Sequence, residues 1–362
     1  MLFVKAIIPI GGRGTRMRPV TFSANKHFIP VANKLLIEYP LETVAQAGIT
    51  DIAITYNPGQ LEYAQKILGT GERWDVKITY VLQEKPLGLA NIFQVCEQWV
   101  GDSSFVLHLG DNIFTNGIKR FVDHFETQKP MGLVSMLRHP ENRRMGVPYF
   151  NSEGRLERYV EKPAHPPHDY AIPGLYFLDH RVFECFRGPN AIKPSQRGEY
   201  EIPDAFQWLI DNGLRVDVLE YKGVWLDPGK FDDWLDANRY LLDQTVVHNI
   251  ESTIGSTVKL EGRVEIGTEC TIEHSTIRGP VRIGKNVTIK NSFLGPYTSI
   301  SDNCSIENVH IENSLVMQGS ELTNIAKVVD TSLIGPDCMV SGGVHGGQKT
   351  SLFVGELSKI QL

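Results

Sequence analysis

Residues 4–16 read VKAIIPIGGRGTR, an apolar run that ends in a glycine-rich turn. The run Val4–Pro9 predicts a buried β-strand, and Leu36–Ala47 then shows the apolar spacing of a helix. Further apolar runs at Ile52–Tyr56, Phe105–Leu109 and Gly132–Leu137 predict more strands. Alternation of strand, helix and strand indicates an α/β fold with a mostly parallel sheet and helices on both faces.

The pattern changes near residue 245. From about Ile250 the helical spacing gives way to short β-branched units that carry a repeated dipeptide. The gaps among the first four copies are 12, 17 and 11 residues, which are close to multiples of six. A period near six, with one aliphatic residue of each unit pointing inward, indicates a β-helix, while a small antiparallel β-sandwich is the alternative. We therefore predict two domains, residues 1–245 and 246–362. The dipeptides are Ile254-Gly255, Ile266-Gly267, Ile283-Gly284, Leu294-Gly295 and Ile334-Gly335.

Composition restricts the class of protein. The 362 residues suit two domains of about 150 residues or more each, and 41% apolar with 22% charged residues is typical of a globular chain. With 36 Lys and Arg against 42 Asp and Glu, the net charge of −6 argues against nucleic-acid binding. No run reaches the ~20 apolar residues of a membrane span. The short N-terminal apolar run does not suit a signal peptide, and five scattered cysteines suit reduced thiols, so we expect a cytoplasmic protein without membrane partners.

The glycine-rich turn predicts a phosphate site. A turn of this kind after a strand lets backbone N–H groups converge on phosphate oxygens, and nearby arginines add charge-assisted hydrogen bonds. Arg13, Arg16 and Arg18 fall within six residues, and Lys26 follows closely enough to reach the same phosphates. The turn is neither a P-loop nor a dinucleotide fingerprint, because neither spacing is completed. The candidate phosphate ligands are Gly11, Gly12, Gly14, Thr15 and Arg16.

Two aspartates predict a metal site. Asp111 follows the apolar run of residues 105–109, at a position from which parallel sheets present functional groups. Asp227 ends a similar apolar run at Val224–Leu226 and precedes a Pro-Gly turn. Either residue alone could be a cap or turn residue. Beside a phosphate site, the pair suits Mg²⁺, which usually takes one or two carboxylates plus phosphate oxygens.

These motifs together resemble the sugar-1-phosphate nucleotidyltransferases. Within that family the chain is most similar to the long thymidylyltransferases that carry a C-terminal left-handed β-helix. The resemblance covers the whole first domain in the family's order and implies a Rossmann-like sheet there. It rests on Gly11–Arg16, Lys26, Pro30, Gln83, Leu87–Ala90, Leu109–Asn112, Glu161–Pro163, Tyr170–Tyr176 and Trp225–Gly229.

The resemblance implies that dTTP and glucose 1-phosphate react to give dTDP-glucose and pyrophosphate, with Mg²⁺ as cofactor. Arg16 and Lys26 would then bind the triphosphate, and Gln83 and Gly88 the base. Asp111 and Asp227 would hold the metal, with Asp111, Arg16, Lys26 and Lys162 as the catalytic set. The resemblance places the sugar-phosphate site at Gly146, Glu161, Lys162, Gly174, Tyr176 and Arg197.

Two residues depart from the family's pattern. His27 stands where glutamine usually follows the lysine, and Met145 stands where an aromatic residue commonly precedes the glycine. Both changes bear on the choice of base and sugar, so a UTP-using enzyme is the alternative to dTTP use.

Other hypotheses concern the second domain and the activity as a whole. β-Helical domains of some long nucleotidyltransferases carry an acetyltransferase with a histidine base, for which His274, His310 and His345 are the candidates. A non-catalytic subunit that senses nucleotide sugars is a further alternative, although it would be expected to lose one of the catalytic charges. The regular faces and open ends of a β-helix also favour self-association, so we expect a homo-oligomer, trimeric or tetrameric.

Overall fold

The structure is a computed structural model. It describes residues 4–12, 14–22, 25–342, 350 and 352–361. Two candidate residues named above, Arg13 and His345, lie outside these ranges.

The chain divides into two compact units. The first unit combines residues 1–12 with residues 37–225. The second unit combines residues 13–36 with residues 226–362. The chain therefore leaves the first unit directly after Gly12 and returns to it at Ile37.

An eight-stranded sheet forms the centre of the first unit. Its strands are β1 (Val4–Pro9), β2 (Asp51–Tyr56), β3 (Lys77–Leu82), β4 (Ser104–His108), β5 (Gly132–Arg138), β6 (Tyr170–Ala171), β7 (Leu175–Leu178) and β8 (Val216–Glu220).

The strand order is β6-β5-β7-β4-β1-β2-β3, and β8 also pairs with β5. β1 runs parallel to β2 and β4, with Ala6 opposite Ile52 and Val4 opposite Ser104. β3 pairs in parallel with β2, and β8 pairs in parallel with β5. β6 and β7 run antiparallel to their neighbours. The mostly parallel sheet predicted from the sequence is thus confirmed.

Helices connect the parallel strands, and the core lies beneath them. β1 is buried along almost its whole length, as an apolar run between two parallel neighbours requires. Ile7, Phe105 and Val134 belong to one buried cluster that also contains Phe93 and Phe206 from two helices. The helices are α1 (Glu38–Gln46), α2 (Leu61–Leu68), α3 (Asn91–Val100), α4 (Lys119–Gln128), α5 (Ile202–Asp211) and, in the second unit, α6 (Phe231–Thr245).

Short strands complete the set. Gly146–Phe150 and Leu156–Glu161 form an antiparallel hairpin in the first unit. In the second unit, Pro30–Val31 pairs with Lys34–Leu35 in a tight hairpin. The two-residue strands Ile113–Phe114 and Trp225–Leu226 lie outside the eight-stranded sheet.

The second unit contains a stack of parallel strands between residues 249 and 361, hereafter the strand stack. Its seven-stranded sheet consists of Asn249–Ile250, Val264–Ile266, Val281–Ile283, Thr298–Ile300, Leu315–Val316, Leu333–Ile334 and Phe353–Val354. Its nine-stranded sheet consists of Lys259–Glu261, Thr271–Glu273, Thr276–Arg278, Thr288–Lys290, Phe293–Leu294, Ser305–Glu312, Glu321–Asp330, Met339–Ser341 and Lys359–Gln361.

Successive coils of the stack repeat every 17 residues where the pairing is regular. Val264 lies opposite Val281, which lies opposite Thr298, and these pairs are parallel. Parallel pairing along the stack contradicts the antiparallel β-sandwich and is compatible with the predicted β-helix. The left-handed twist of its coil stays a prediction.

The repeated dipeptide does not mark one position of the coil. Ile266 and Ile283 end neighbouring strands of the seven-stranded sheet and are buried. Leu294 belongs to the other sheet, and Ile254 lies outside the strands. The spacing of 17 is therefore the structural repeat, and the gaps of 12 and 11 join different faces.

In the described part of the chain, no helix is both long and apolar enough to cross a membrane.

Candidate active site

The glycine turn begins at the carboxyl end of β1. Gly12 has φ of +110°, and its N–H donates to Asn57 Oδ1 over 3.1 Å. A Cβ atom on Gly11 would lie 2.7 Å from the same oxygen and would displace the Asn57 amide from this bond. Glycine is therefore favoured at Gly11 by the close approach of Asn57 and at Gly12 by its backbone conformation.

Asn57 was not identified from the sequence. It directly follows β2, and its Nδ2 donates to the backbone oxygen of Gln83, which directly follows β3, over 3.0 Å. One side chain thus connects the glycine turn to the predicted base-binding glutamine. A polar residue between an apolar strand and the turn Pro58-Gly59 was the available signal.

Gln83 is buried, and its Nε2 donates to Asn91 Oδ1 over 3.0 Å. Gly88, the second predicted base ligand, has φ of +99°. A Cβ atom there would lie 2.4 Å from the backbone oxygen of Tyr200. The backbones of residues 87–90 and Tyr200 are hydrogen-bonded to each other, which explains why Gly88 cannot carry a side chain.

Asp111 follows β4, at the same sheet edge as the glycine turn, since β1 and β4 are parallel neighbours. The side chain of its neighbour Asn112 is buried and donates from Nδ2 to Asp111 Oδ1 over 2.9 Å. Asn112 Oδ1 accepts from the Gly174 N–H at 3.1 Å and from Trp225 Nε1 at 2.9 Å. Asn112 therefore links a predicted metal ligand to a predicted sugar ligand, and sequence reasoning gave it no role.

The hairpin brings several predicted sugar-phosphate ligands together. Gly146 lies opposite Glu161, and the Lys162 N–H donates to the backbone oxygen of Met145. Lys162 has φ of +47°, and its Nζ lies 2.9 Å from Glu161 Oε1. A Cβ atom on Gly146 would lie 2.2 Å from the ring of Tyr159, so this position too requires glycine.

Tyr176 lies beneath this group. It is buried, and its hydroxyl lies 3.3 Å from that of Tyr159. Burial raises the pKa of both phenols well above the ordinary value, so both stay neutral. The structure therefore places Tyr176 under the predicted sugar site, where it supports Tyr159 and through it Gly146.

Arg197 is an exposed predicted ligand. Its guanidinium donates to Glu201 Oε1 over 2.7 Å and lies 3.8 Å from Glu199 Oε2. The hydrogen bond to Glu201 raises the pKa of Arg197, and Glu161 adds a smaller effect of the same sign.

The remaining predicted ligands belong to the second unit. Gly14 has φ of +54° and precedes the short helix Thr15–Met17, while its backbone oxygen accepts from Thr21 Oγ1. Thr15 and Arg16 are exposed, and the guanidinium of Arg16 lies beside the backbone of Gly229. Exposure of this cation is what binding of a soluble phosphate ligand requires.

Lys26 and Asp227 form an ion pair in the second unit, with Lys26 Nζ 3.7 Å from Asp227 Oδ1. Lys26 is buried and starts a short helix that Asn25 caps. Asn25 Oδ1 accepts from the backbone N–H of His27 and lies 2.7 Å from its Nδ1. The departure from the family at His27 is thus accommodated by a local hydrogen bond to Asn25.

Among the residues that the structure describes, no group of three or more His, Cys, Asp or Glu side chains is arranged to hold a metal ion. Asp111 belongs to the first unit and Asp227 to the second. One or two carboxylates completed by substrate phosphates suit Mg²⁺ better than an ion held by protein ligands alone.

The histidines proposed for acetyl transfer lie on the strand stack. His310 is exposed, and its ring packs edge-on against Phe293 with 4.5 Å between centroids. His274 occupies a corner with φ of +47°, where the coils above it have Asn291 and Asn308. Both residues thus occupy ordinary outward or corner positions of the coil.

Comparisons with known proteins agree with this geometry. The model of the nucleotidyl transferase family matches residues 5–244. A glucose-1-phosphate thymidylyltransferase of Streptomyces griseus is 34% identical over 99% of both chains. A low-salt glycan biosynthesis nucleotidyltransferase of Haloferax volcanii is 36% identical over 99% of this chain and 100% of its own.

A solved structure adds to these relatives. A candidate glucose-1-phosphate thymidylyltransferase of Bacillus anthracis, in complex with sucrose, aligns with a TM-score of 0.60 and 34% identity. The alignment covers 65% of this chain and 94% of that one. The resemblance found in the sequence is confirmed, and the chain is an enzyme that belongs to the nucleotidyl transferase family.

Proposed function

We propose that the chain transfers a thymidylyl group from dTTP to glucose 1-phosphate, giving dTDP-glucose and pyrophosphate. The observation that carries the proposal is Asn57, whose side chain bonds both the glycine turn and the residue that would bind the base. A nucleotide that spans these two points places its phosphates and its base on neighbouring parallel strands. The full-length relative from Streptomyces griseus has this activity in its name, which favours dTTP over UTP.

The triphosphate would be bound by backbone and side-chain donors. Gly11, Gly14 and Thr15 offer backbone N–H groups, Gly12 shapes the turn through its N–H bond to Asn57, and Arg16 and Lys26 offer positive charge. Gln83 presents an amide that has both a donor and an acceptor, which suits the imide edge of thymine. Gln83 Nε2 donates to Asn91 Oδ1 and, over 3.4 Å, to the backbone oxygen of Gly88, so the orientation of the amide is fixed before the nucleotide binds.

The sugar phosphate would be bound around the hairpin. Glu161 accepts sugar hydroxyls, Gly146 and Gly174 offer close backbone contact, and Lys162 and Arg197 pair with the phosphate. Protein atoms occupy the space of both missing Cβ atoms, Tyr159 at Gly146 and Leu109 with Asn112 at Gly174, so the two glycines permit the close packing that shapes this site. Met145 contributes its backbone oxygen to the Lys162 N–H, so the departure from the family at this residue preserves the backbone contact.

The reaction needs no protein nucleophile. An oxygen of glucose 1-phosphate attacks the α-phosphorus of dTTP, and the bond to the bridging oxygen of pyrophosphate breaks on the opposite side. A phosphate monoester is already anionic at neutral pH, so the attacking oxygen needs no general base. Lys162 and Arg197 align the attacking phosphate, while Arg16 and Lys26 offset the charge of the triphosphate and of the leaving pyrophosphate.

We propose Mg²⁺ as the cofactor, with Asp111 and Asp227 as its protein ligands. Their carboxylates are the ligands that this ion prefers, and phosphate oxygens of the substrate would complete its shell. When bound, the ion would neutralise negative charge that develops on the phosphates. Asn112 would hold the Asp111 carboxylate in one orientation.

Other parts of the assignment stay predictions: the catalytic domain of residues 1–245, a homo-oligomer of three or four copies, and a cytoplasmic location. Acetyl transfer at His274, His310 or His345 stays a hypothesis.

A pyrophosphate-release assay tests the proposed function. The protein is supplied with glucose 1-phosphate, Mg²⁺ and one of dTTP, UTP, ATP, CTP or GTP. We expect release mainly with dTTP. Release mainly with UTP would correct the choice of base, and release with none of the five would contradict the assignment.

A pair of variants connects the assay to the site. Gln83→Glu replaces the amide donor with an acceptor, so we expect kcat/KM for dTTP to fall about tenfold or more, because the base loses a donor and a carboxylate oxygen then faces Asn91 Oδ1. Gln98→Glu makes the same change on an exposed position of α3 and should leave kcat/KM unchanged. Equal values for the two variants would remove Gln83 from the base site.

A further inference from the structure

The hairpin of residues 30–35 contains an unusual turn. Its central residues, Ala32 and Asn33, have φ of +50° and +61°. Positive φ at both positions is the conformation of a type I′ turn, which favours Asn and Gly and disfavours Ala. Because alanine rarely adopts this conformation, the surroundings must hold the turn in place.

The strand stack supplies these surroundings. Asn33 Nδ2 donates to the backbone oxygens of Ile300 at 2.6 Å and Arg282 at 3.3 Å. Ser301 Oγ donates to Asn33 Oδ1 over 3.2 Å. Arg282 Nη1 donates to the backbone oxygen of Ala32 over 2.8 Å. The turn thus uses its side-chain amide and a backbone carbonyl to bond two neighbouring strands of the stack.

α6 is attached at the same place. The side chain of Asn238, on α6, is fully buried, and its Oδ1 accepts from the Ala32 N–H at 2.8 Å and from Ser299 Oγ at 2.9 Å. Asn238 Nδ2 donates to the backbone oxygen of Tyr297 over 3.2 Å. The turn, α6 and the stack are therefore joined by one network of hydrogen bonds.

Two proposed site residues lie close to this network along the chain. Lys26 precedes the turn by six residues, and Asp227 precedes the first residue of α6 by four. They meet as the ion pair at 3.7 Å. Since the segment of Lys26 and the segment of Asp227 are attached to the same strands, the stack determines the relative position of the pair.

We propose that Asn33 is a positioning residue for nucleotidyl transfer: it anchors the Lys26 segment to the strand stack and thereby sets the Lys26–Asp227 geometry. The two strands of the stack that Asn33 contacts then support the catalytic pair, whereas the rest of the stack has no such role. The inference rests on the proposed function, because it takes the roles of Lys26 and Asp227 from it.

The test is Asn33→Gly in the full chain. Glycine accepts positive φ, so the turn persists, while the side-chain hydrogen bonds to Ile300, Arg282 and Ser301 are lost. We expect kcat to fall about tenfold or more, since small displacements of catalytic groups have effects of this size. The Mg²⁺ concentration for half-maximal rate should rise severalfold, whereas the KM for glucose 1-phosphate should stay near that of the wild type.

The matched control is Asn286→Gly. Asn286 also has positive φ, +53°, and its Nδ2 donates to Asn303 Oδ1 on the exposed surface of the stack. This variant should keep the wild-type kcat and Mg²⁺ dependence. A purely structural role for corner asparagines would instead change both variants alike and overturn the proposal.

Two further results would overturn the inference about Asn33. Wild-type kcat and Mg²⁺ dependence in a folded Asn33→Gly would overturn the inference while leaving the proposed function intact, whereas a wild-type chain inactive with all five nucleotides overturns both. If Asn33→Gly does not fold, Ser301→Ala removes a single hydrogen bond to Asn33, and kcat should fall about two- to threefold with an unchanged circular dichroism spectrum. An unchanged kcat in that variant would also overturn the inference.

Discussion

Polar side chains are used differently at the sheet edge of the first unit and in the strand stack. At the edge, Asn57 joins the glycine turn to Gln83, and no other residue repeats its contacts among those described. In the stack, Asn286 bonds Asn303 and Asn308 bonds Asn324, each one coil away at an equivalent corner. Loss of an edge residue should therefore affect activity, and loss of a corner residue only stability.

The largest expected effect is that of Asp111→Asn. Turnover should fall about 10²–10³-fold, by analogy with the removal of other preorganised electrostatic groups, because a neutral amide attracts a divalent ion much less. The melting temperature should change little, since an amide oxygen can still accept from Asn112 Nδ2. Steady-state pyrophosphate release and thermal unfolding measure the two effects.

The matched variant for this prediction is Asp302→Asn in the stack. Asp302 Oδ1 accepts from the backbone N–H of Lys285 over 2.8 Å, and an amide oxygen can do the same. Its turnover should equal that of the wild type. Near-normal turnover in Asp111→Asn would remove both the metal assignment and the contrast between the two regions.

A smaller effect is expected below the sheet edge, at His108. The ring is fully buried on β4, its Nδ1 lies 2.9 Å from the backbone oxygen of Leu109, and its Nε2 has no hydrogen-bond partner among the described residues. Burial lowers the pKa of His108 to about 4. Between this pKa and that of the unfolded chain, the ring is protonated in the unfolded chain and neutral in the folded chain.

The free energy of unfolding should therefore decrease as the pH falls. The contribution of the neutral His108 ring is complete above the unfolded pKa of ~6.5 and is lost, by up to ~3 kcal/mol, as the pH falls towards 4. His108→Gln, which does not titrate, should show a shallower fall in the free energy of unfolding over this range. His310→Gln, at an exposed position of the stack, should keep the wild-type slope. If the free energy of unfolding fell equally with pH in all three proteins, protonation of His108 would not destabilise the fold, and the prediction would be wrong.

The sequence was sufficient for features that depend on neighbouring residues. β1 and the glycine turn after it, the position of Asp111 after β4 and the change of pattern near Ile250 all follow from local spacing. The spacing of 17 was among the measured gaps, although shorter gaps between different faces of the coil obscured it.

Contacts between distant residues could not be predicted in this way. The Asn33 contact to Ile300 joins residues 267 positions apart, and the Asn57 contact to Gly12 joins adjacent strands. A single asparagine in the sequence gives no signal of which distant residue it will bond. The burial of Tyr176 beside Tyr159 was missed for the same reason, because only the packed sheet brings the two rings together.

The smallest expected effect concerns the corners of the stack. Asn286→Ala keeps the Cβ at φ of +53° but loses the side-chain amide and its contact to Asn303, so it should lower the free energy of unfolding by about 1 kcal/mol. Asn286→Gly should lower it by less, because glycine adopts positive φ readily. Chemical denaturation of both variants measures the difference, with turnover unchanged in each. A loss of turnover in either variant would show that ordinary corners of the stack, and not Asn33 in particular, are coupled to the chemistry.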